Sequence, residues 1–298
     1  MLHAVDNVSF TIQEGKTLGV VGESGCGKST LGRTVIRLLE KTDGEIFFEG
    51  QNVSDAKGKK LKALRGNTQM IFQDPFSSLN PRMTVSQTIA EPMRIYKRGG
   101  RKEIVERVRE LMETVGLSQR FQDSYPHELD GGRRQRIGVA RALALNPKLI
   151  VCDEPVSALD VSIQAQIINL MQNLQEQRNL AYIFITHDLS VVRHISDEIL
   201  VMYLGVEAER CPAKELFKNP AHPYTRALLS AIPRVNIHKK TERVILEGEI
   251  TSPIDPPDAC RFAARCQYAL DICRRREPAL TEIGENHFAA CHRVGEAL

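Results

Sequence analysis

Gly22–Ser29 reads GESGCGKS, and Thr17–Val21 just before it reads TLGVV. The short apolar run predicts a buried strand. The residues from Ser29 onward, STLGRTVIRLLE, predict the helix that follows. G-x-x-x-x-G-K-[ST] between a strand and a helix is the pattern of a phosphate-binding loop. Its glycines let backbone N–H groups wrap phosphate oxygens, and the helix N-terminus adds positive potential. In this reading Lys28 reaches the β- and γ-phosphates and Ser29 ligates Mg²⁺. A chance glycine turn would lack the flanking strand and helix.

Two further stretches carry chemistry. Leu149–Glu154 reads LIVCDE, an apolar strand ending in two acids. Asp153 suits a metal ion, held through water. Glu154 suits the base that orients and deprotonates an attacking water. Strands often end in acids, so this pair gains its weight from the loop upstream. His187 follows the apolar run Ala181–Thr186, AYIFIT. A single histidine is more often structural than catalytic. Here it falls at a strand's C-terminal end, the edge where ligands gather on an open α/β sheet. Gln73, after Met70–Phe72, is placed by the same argument.

Around these stretches the pattern alternates. Glu45–Phe48, Met70–Phe72, Leu149–Cys152, Ala181–Thr186 and Glu198–Tyr203 predict strands. From Pro75 to about Leu145 the pattern is helical. Ile104, Val108, Leu111 and Val115 fall on one helix face, with Gly116 just past its end. Ile163, Ile167, Leu170, Met171 and Leu174 share a face of another helix. Alternating strands and helices imply a mostly parallel, helix-covered sheet. From about Asn219 the periodicity weakens, and TSPIDPPDAC at 251–260 reads as a linker or irregular loop. The expected organisation is an α/β core over 1–218, a helical subdomain over about 75–145, and a C-terminal extension over 219–298.

Composition sets outer limits. The chain has 298 residues, 42% hydrophobic and 26% charged, with a net charge of +3. Both signs are interspersed, so nothing argues for a nucleic-acid groove or a polybasic membrane anchor. No apolar run approaches the ~20 residues a membrane span needs. The first residues, MLHAVDNVSF, lack a secretory pattern. The expected location is the cytoplasm, with other chains carrying this one to a membrane if it works there.

Taken together, the motifs resemble the ABC ATPase family in order and spacing, from about Ala4 to Leu204. The resemblance implies that Gly22, Glu23, Ser24, Gly25, Cys26, Gly27, Lys28, Ser29 and Thr30 hold the phosphates of ATP. Gln73, in IFQDP, matches a loop that touches Mg²⁺ and a transmembrane partner. Ser29, Gln73 and Asp153 are the implied Mg²⁺ residues, and Glu154, His187 and Lys28 the catalytic ones. Asp130, Gly131 and Gly132 stand at the family's signature, and Asp160 ends its SALD motif. In this family two ATPases close face to face over two ATP molecules, each between one P-loop and the other subunit's signature. NPAHPYTRALLSAIP (219–233) and the later cysteine-bearing strings are similar to the tail of oligopeptide and dipeptide importer ATPases. STLGRTVIRL and IFQDPFSSLNPRMTV resemble the second, F-type, of their two ATPases. This implies a heterodimer with a partner ATPase, two permeases, an external peptide-binding protein and a peripheral position on the cytoplasmic face of the inner membrane. Nickel importers share that architecture. Other readings are a regulatory subunit with weak hydrolysis and a soluble ABC ATPase outside transport.

Several features depart from the family pattern. The signature is usually LSGGQ, and Leu129–Arg133 reads LDGGR. Asp130 can cap the next helix as serine does, but it brings negative charge toward phosphate. The strand and adenine-stacking aromatic expected upstream of Met1 are missing, or the true start lies further upstream. Met202–Pro212 is more polar than expected where the family usually has a hydrophobic strand, which leaves the sheet edge there open. Of seven cysteines, Cys260, Cys266, Cys273 and Cys291 cluster with the spacing C-x5-C-x6-C-x17-C. Clustering in a reducing compartment points to a metal more than to disulfides. Four thiolates suit a [4Fe–4S] cluster, with Zn²⁺ or four unligated buried thiols as the alternatives. The resembling tails carry such clusters.

Overall fold

The computed structural model describes residues 1–74, 76–232, 246, 248 and 252–296. Pro75, Pro233, Thr251 and the last two residues of the expected extension, Ala297 and Leu298, lie outside the described residues. In chain order the elements are β1 (Thr17–Val21), α1 (Lys28–Val35), β2 (Phe47–Phe48), β3 (Gln51–Asn52), α2 (Gly58–Asn67) and β4 (Thr68–Ile71). Then come α3 (Val85–Ile95), α4 (Arg101–Thr114), α5 (Gly131–Leu143), β5 (Leu149–Asp153), α6 (Val161–Arg178) and β6 (Ala181–Thr186). The chain continues with α7 (Leu189–Ile195), β7 (Glu198–Tyr203), β8 (Val206–Pro212), α8 (Ala213–Lys218), α9 (Pro223–Ser230), β9 (Thr281–Gly284) and β10 (His287–Ala289). The chain divides into two compact units. One is Met1–Ile12, Thr17–Leu31 and Phe184–Leu298, and the other is Gln13–Lys16 and Gly32–Ile183.

In the first unit β1 is buried along its whole length. That explains its unbroken apolar run, since a strand covered on both faces has no polar side to show. It pairs in parallel with β7, Leu18 opposite Glu198 through Val21 opposite Val201. β7 turns back on itself through Leu204 and Gly205, both at positive φ (43° and 85°), into antiparallel β8. Two left-handed residues in a two-residue connection match the twist of a tight hairpin. β8 then pairs antiparallel with β10, and β10 with β9. The expectation of a mostly parallel sheet is therefore corrected to a mixed one. Its cause is the β7–β8 hairpin, which reverses the chain beside β7; the tail then adds β10 and β9, each antiparallel to its neighbour.

The polar stretch after Met202 is a strand after all. Its acids are buried and partnered rather than solvated. Arg210 reaches Glu207 at 2.9 Å and Glu198 at 2.8 Å. Glu209, with no exposed surface, meets Nε2 of His287 on β10 at 2.8 Å. It also accepts the amides of Ala221 (2.8 Å) and His222 (2.9 Å), which fixes the chain entering α9. Burial works to raise the Glu209 carboxyl, but these hydrogen bonds outweigh it and hold the group below its ordinary value.

This cluster makes the unit acid-sensitive. Burial pushes His222 down to about 4, against the pull of Glu209 and the Ala290 carbonyl. Its neutral ring accepts the Tyr224 amide at 3.1 Å. A depressed folded value means that the unfolded chain protonates first. The stabilisation is full above pH 6.5 and drains away as pH falls toward 4. Glu209, lowered from 4.5, extends the loss further down. Thermal unfolding of the full chain should show falling stability from pH 7 to 4, with up to about 3 kcal/mol from His222. His222→Gln should flatten the upper part of that slope. A flat profile in the native chain would contradict the assignment.

In the second unit β4 and β5 pair in parallel, Thr68 opposite Leu149 through Ile71 opposite Cys152. The helices α3, α4 and α5 pack on one another. Ile104, Val108 and Leu111 bury the predicted face of α4, with Val115 just beyond its end. Gly116, at φ 66°, turns the chain out of the helix. On α6, Ile167, Met171 and Leu174 are buried, while Ile163 and Leu170 keep partial exposure.

Candidate functional site

The first unit holds the glycine-rich loop and His187. The second holds Gln73, Asp130, Asp153, Glu154 and Asp160.

β1 delivers the chain to Gly22, which sits at φ 155°. A Cβ there would lie 2.2 Å from the carbonyl oxygen of Met202 and 2.7 Å from Sγ of Cys26, so only glycine fits. Ser24 and Gly25 form the exposed crest, and Cys26 is buried. Burial pushes the Cys26 thiol up, which leaves it a small apolar filler beneath the loop. Lys28 opens α1 and is only 5% exposed. Its ammonium donates to the carbonyls of Gly22 (2.7 Å) and Glu23 (2.8 Å). A buried cation wrapped in loop backbone at a helix start is a fitting seat for a polyanion such as a nucleotide phosphate. Ser29 and Thr30, next on α1, are partly exposed. His187 follows β6 directly and is exposed.

Glu23 is held more firmly than its place in the motif suggests. Its amide donates to the Tyr224 hydroxyl at 2.8 Å. Its carboxylate takes both Nη atoms of Arg265, at 2.6 and 3.0 Å. Neither partner was foreseeable from spacing, because both come from the C-terminal tail.

In the second unit β5 ends on Asp153, which is fully buried and accepts from Arg33 Nη2 at 3.4 Å. No motif points to Arg33. Glu154 follows at φ 45°, a left-handed turn that aims it off the end of the strand. Gln73 Nε2 donates to Glu154 Oε2 at 2.9 Å, so two residues found separately in the sequence stand in contact. Asp160 caps α6 by accepting the Ile163 amide at 3.1 Å. Asp130 caps α5 by accepting the Arg133 amide at 2.8 Å, and it pairs with the Arg133 guanidinium at 2.9 Å. The cap role of the usual serine is thus filled. At Gly132 a Cβ would meet Ile163 Cγ2 at 2.7 Å, which explains a glycine where α5 approaches α6.

The cysteine tail does not form the expected centre. Cys260, Cys266, Cys273 and Cys291 line one small cavity with His222, Phe262 and Tyr268. No three of their sulfurs lie within 4.8 Å of one another. Among the described residues the group whose ligand atoms all lie within 4.8 Å of one another is Glu209, Cys211 and His287. Burial pushes the Cys260 thiol up to about 11, and raises Cys266 and Cys291 as well, with the other three cysteines adding to it in each case or in part.

Comparison with known proteins agrees with the loop and the tail. A family model described as ABC transporter matches residues 5–157. A second, described as oligopeptide/dipeptide transporter, C-terminal region, matches 208–273. The chain is 56% identical over 292 residues to the oligopeptide transport ATP-binding protein AppF of Bacillus subtilis, covering 97% of this chain and 89% of that one. It is 52% identical to OppF of Escherichia coli, over 98% and 88% of the two chains. It is 49% identical to the dipeptide transport ATP-binding protein DppF of Haemophilus influenzae, over 98% and 89%. Among solved structures, the ATP-binding cassette MJ0796 in a dimeric post-hydrolysis state bound to ADP and Pi superposes with a TM-score of 0.65 at 30% identity, over 70% of this chain and 90% of that one. These relatives are described as ATP-binding proteins, and the iron–sulfur expectation is withdrawn on that finding, the compact ligand group among the described residues being Glu209, Cys211 and His287 instead. The chain belongs to the ABC transporter family, as an ATP-hydrolysing α/β protein with a P-loop and the C-terminal region of oligopeptide and dipeptide transporters.

Proposed function

We propose that the chain energises the import of oligopeptides or dipeptides. The observation that carries this is identity near 50% over almost the whole chain, tail included, with oligopeptide and dipeptide transport ATP-binding proteins. In this reading residues 1–218 form the ATPase, with a helical subdomain over about 75–145, and 219–298 form the transporter-specific extension. Gly22–Thr30 cradle the phosphates, with Lys28 on the β and γ groups. Ser29, Gln73 and Asp153 would hold Mg²⁺, which when bound with ATP neutralises charge on the phosphoryl group. Glu154 takes the proton of the attacking water, and His187 steadies the γ-phosphate. The partners are a second ATPase, two permeases and an external peptide-binding protein, with this chain peripheral on the cytoplasmic face of the inner membrane. Among the described residues no helix is long and apolar enough to cross a membrane.

The test is uptake. The chain is reconstituted with its permeases, partner ATPase and binding protein in vesicles, and ATP-driven entry of a labelled tripeptide is followed. Entry that stops without this chain supports the reading. ATP-driven entry of nickel with none of peptide would move the cargo to the metal.

The Asp130–Arg133 pair also implies two unequal ATP sites. A partner's phosphates opposite Asp130 meet a carboxylate that accepts hydrogen bonds but cannot donate one. Asp130→Ser with Arg133→Gln should raise ATP turnover and uptake of the complex severalfold. Flat rates would mean that Asp130 does not limit the second site.

A further inference from the structure

Among the described residues the tail reaches the phosphate loop through the side chains of Tyr224 and Arg265, and both are anchored behind. Glu209 fixes the chain entering α9 by taking the Ala221 and His222 amides. The His222 ring then caps that helix on the Tyr224 amide. Tyr224 has no exposed surface. Its ring meets Tyr203 and Phe262 with centroids 4.8 and 5.4 Å away, and Tyr203 meets Phe262 at 5.2 Å. Packing against two rings holds the buried tyrosine in place with its hydroxyl aimed as an acceptor. That acceptor takes the Glu23 amide. Arg265, with its side chain 7% exposed, grips the Glu23 carboxylate with both ends of its fork. The same guanidinium lies 3.5 Å from the Tyr203 hydroxyl. The third polar group of Glu23, its carbonyl, takes the Lys28 ammonium.

Glu23 is therefore clamped at its amide, carboxylate and carbonyl. Two of the three clamps belong to the tail, and the third is the lysine that meets phosphate. We infer that Tyr224 and Arg265 are positioning residues for nucleotide binding: through Glu23 they hold the phosphate loop in its binding shape. The tail is then part of the ATP site's construction. The coupling is reciprocal, because a nucleotide that favours the held loop must also tighten α9. This inference rests on the ATP reading of Gly22–Ser29.

The experiment uses the full chain, a fluorescent ATP analogue with Mg²⁺, and hydrogen exchange on α9. Tyr224→Phe keeps the ring and removes the acceptor. It should weaken the analogue about fivefold, the worth of one ordinary hydrogen bond. Arg265→Gln removes a charged fork and should weaken it tenfold or more, while Arg265→Lys should recover part of that. With Glu23→Gln already in place, Arg265→Gln should cost much less than alone, since the pair acts as a unit. In the native chain the analogue should slow exchange across Pro223–Ser230, and in Tyr224→Phe it should not. The melting temperature without nucleotide should move little in Tyr224→Phe. Native affinity in both single variants overturns the inference. So does affinity lost only in step with the nucleotide-free melting temperature, which marks a merely structural tail. Lys28→Ala runs alongside. Native affinity in that variant sinks the ATP reading itself, whereas loss there with none in Tyr224→Phe sinks only the tail's role.

Discussion

Glu154→Gln should cut ATP turnover of the assembled transporter about a thousandfold while ATP stays bound. The substitution is close to isosteric, so the fold has no reason to object. An amide oxygen can still accept from Gln73 Nε2, which now donates to Glu154 Oε2 at 2.9 Å. The left-handed turn at φ 45° is set by the backbone and survives. What disappears is the basic oxygen lone pair that takes the water's proton. General-base catalysis is worth roughly 10²–10⁴ in rate, and the middle of that range is the expected drop. Phosphate release measures the first half of the prediction, and retention of labelled ATP on the complex measures the second. Turnover within threefold of the native rate would remove Glu154 from the chemistry. A nucleotide-binding subunit with little hydrolysis of its own would show the same indifference, so this variant also separates the two classes of reading.

Lys28→Ala should lower the affinity for Mg-ATP by a hundredfold or more. The ammonium is buried, and its hydrogen bonds to the Gly22 and Glu23 carbonyls draw the loop around it. Truncation removes a charge-assisted contact to phosphate, which is among the stronger polar interactions proteins make. It also strips the two loop carbonyls of a donor, so the loop loses shape as well as charge. Equilibrium titration with a fluorescent ATP analogue reads the loss. Lys28→Met, closer in volume, should recover stability without recovering affinity. Unchanged affinity in the alanine variant would mean that GESGCGKS holds something other than a nucleotide.

How far the sequence reached depends on how local each cause was. The phosphate loop was legible because strand, loop and helix lie within some twenty residues and each enforces the next. The burial of β5 and β6 was legible for a similar reason: four or five apolar residues in a row have no exposed face to offer. Gln73 and Glu154 were each found by their place after a strand, and parallel pairing of β4 with β5 puts those strand ends side by side. β8 looked wrong for a sheet because Glu207 and Glu209 are acidic. Its solvent for those charges is protein, and one partner, His287, lies 78 positions away. The hold on Glu23 was out of reach altogether, since Tyr224 and Arg265 come from 201 and 242 residues downstream. Cysteine spacing misled in the opposite way. It marked four thiols that do share one cavity, yet no three of their sulfurs lie within 4.8 Å of one another.

The pairing of β10 on β8 has a bearing on how the protein is trimmed. A strand along the rim of a sheet is a ready template for any other extended chain, and proteins survive by blunting such rims. Phe288 and Ala289 cover what would otherwise be such a rim, the outer edge of β8, opposite Arg210 and Glu209. Cut the chain ahead of them and β8 is left with open amides, a buried carboxylate robbed of its imidazole, and the ring of Phe288 no longer stacked under the Arg210 guanidinium. A shortened version kept to the nucleotide-binding half would therefore be sticky in a directional way, growing by strand-to-strand addition into soluble oligomers and then aggregates.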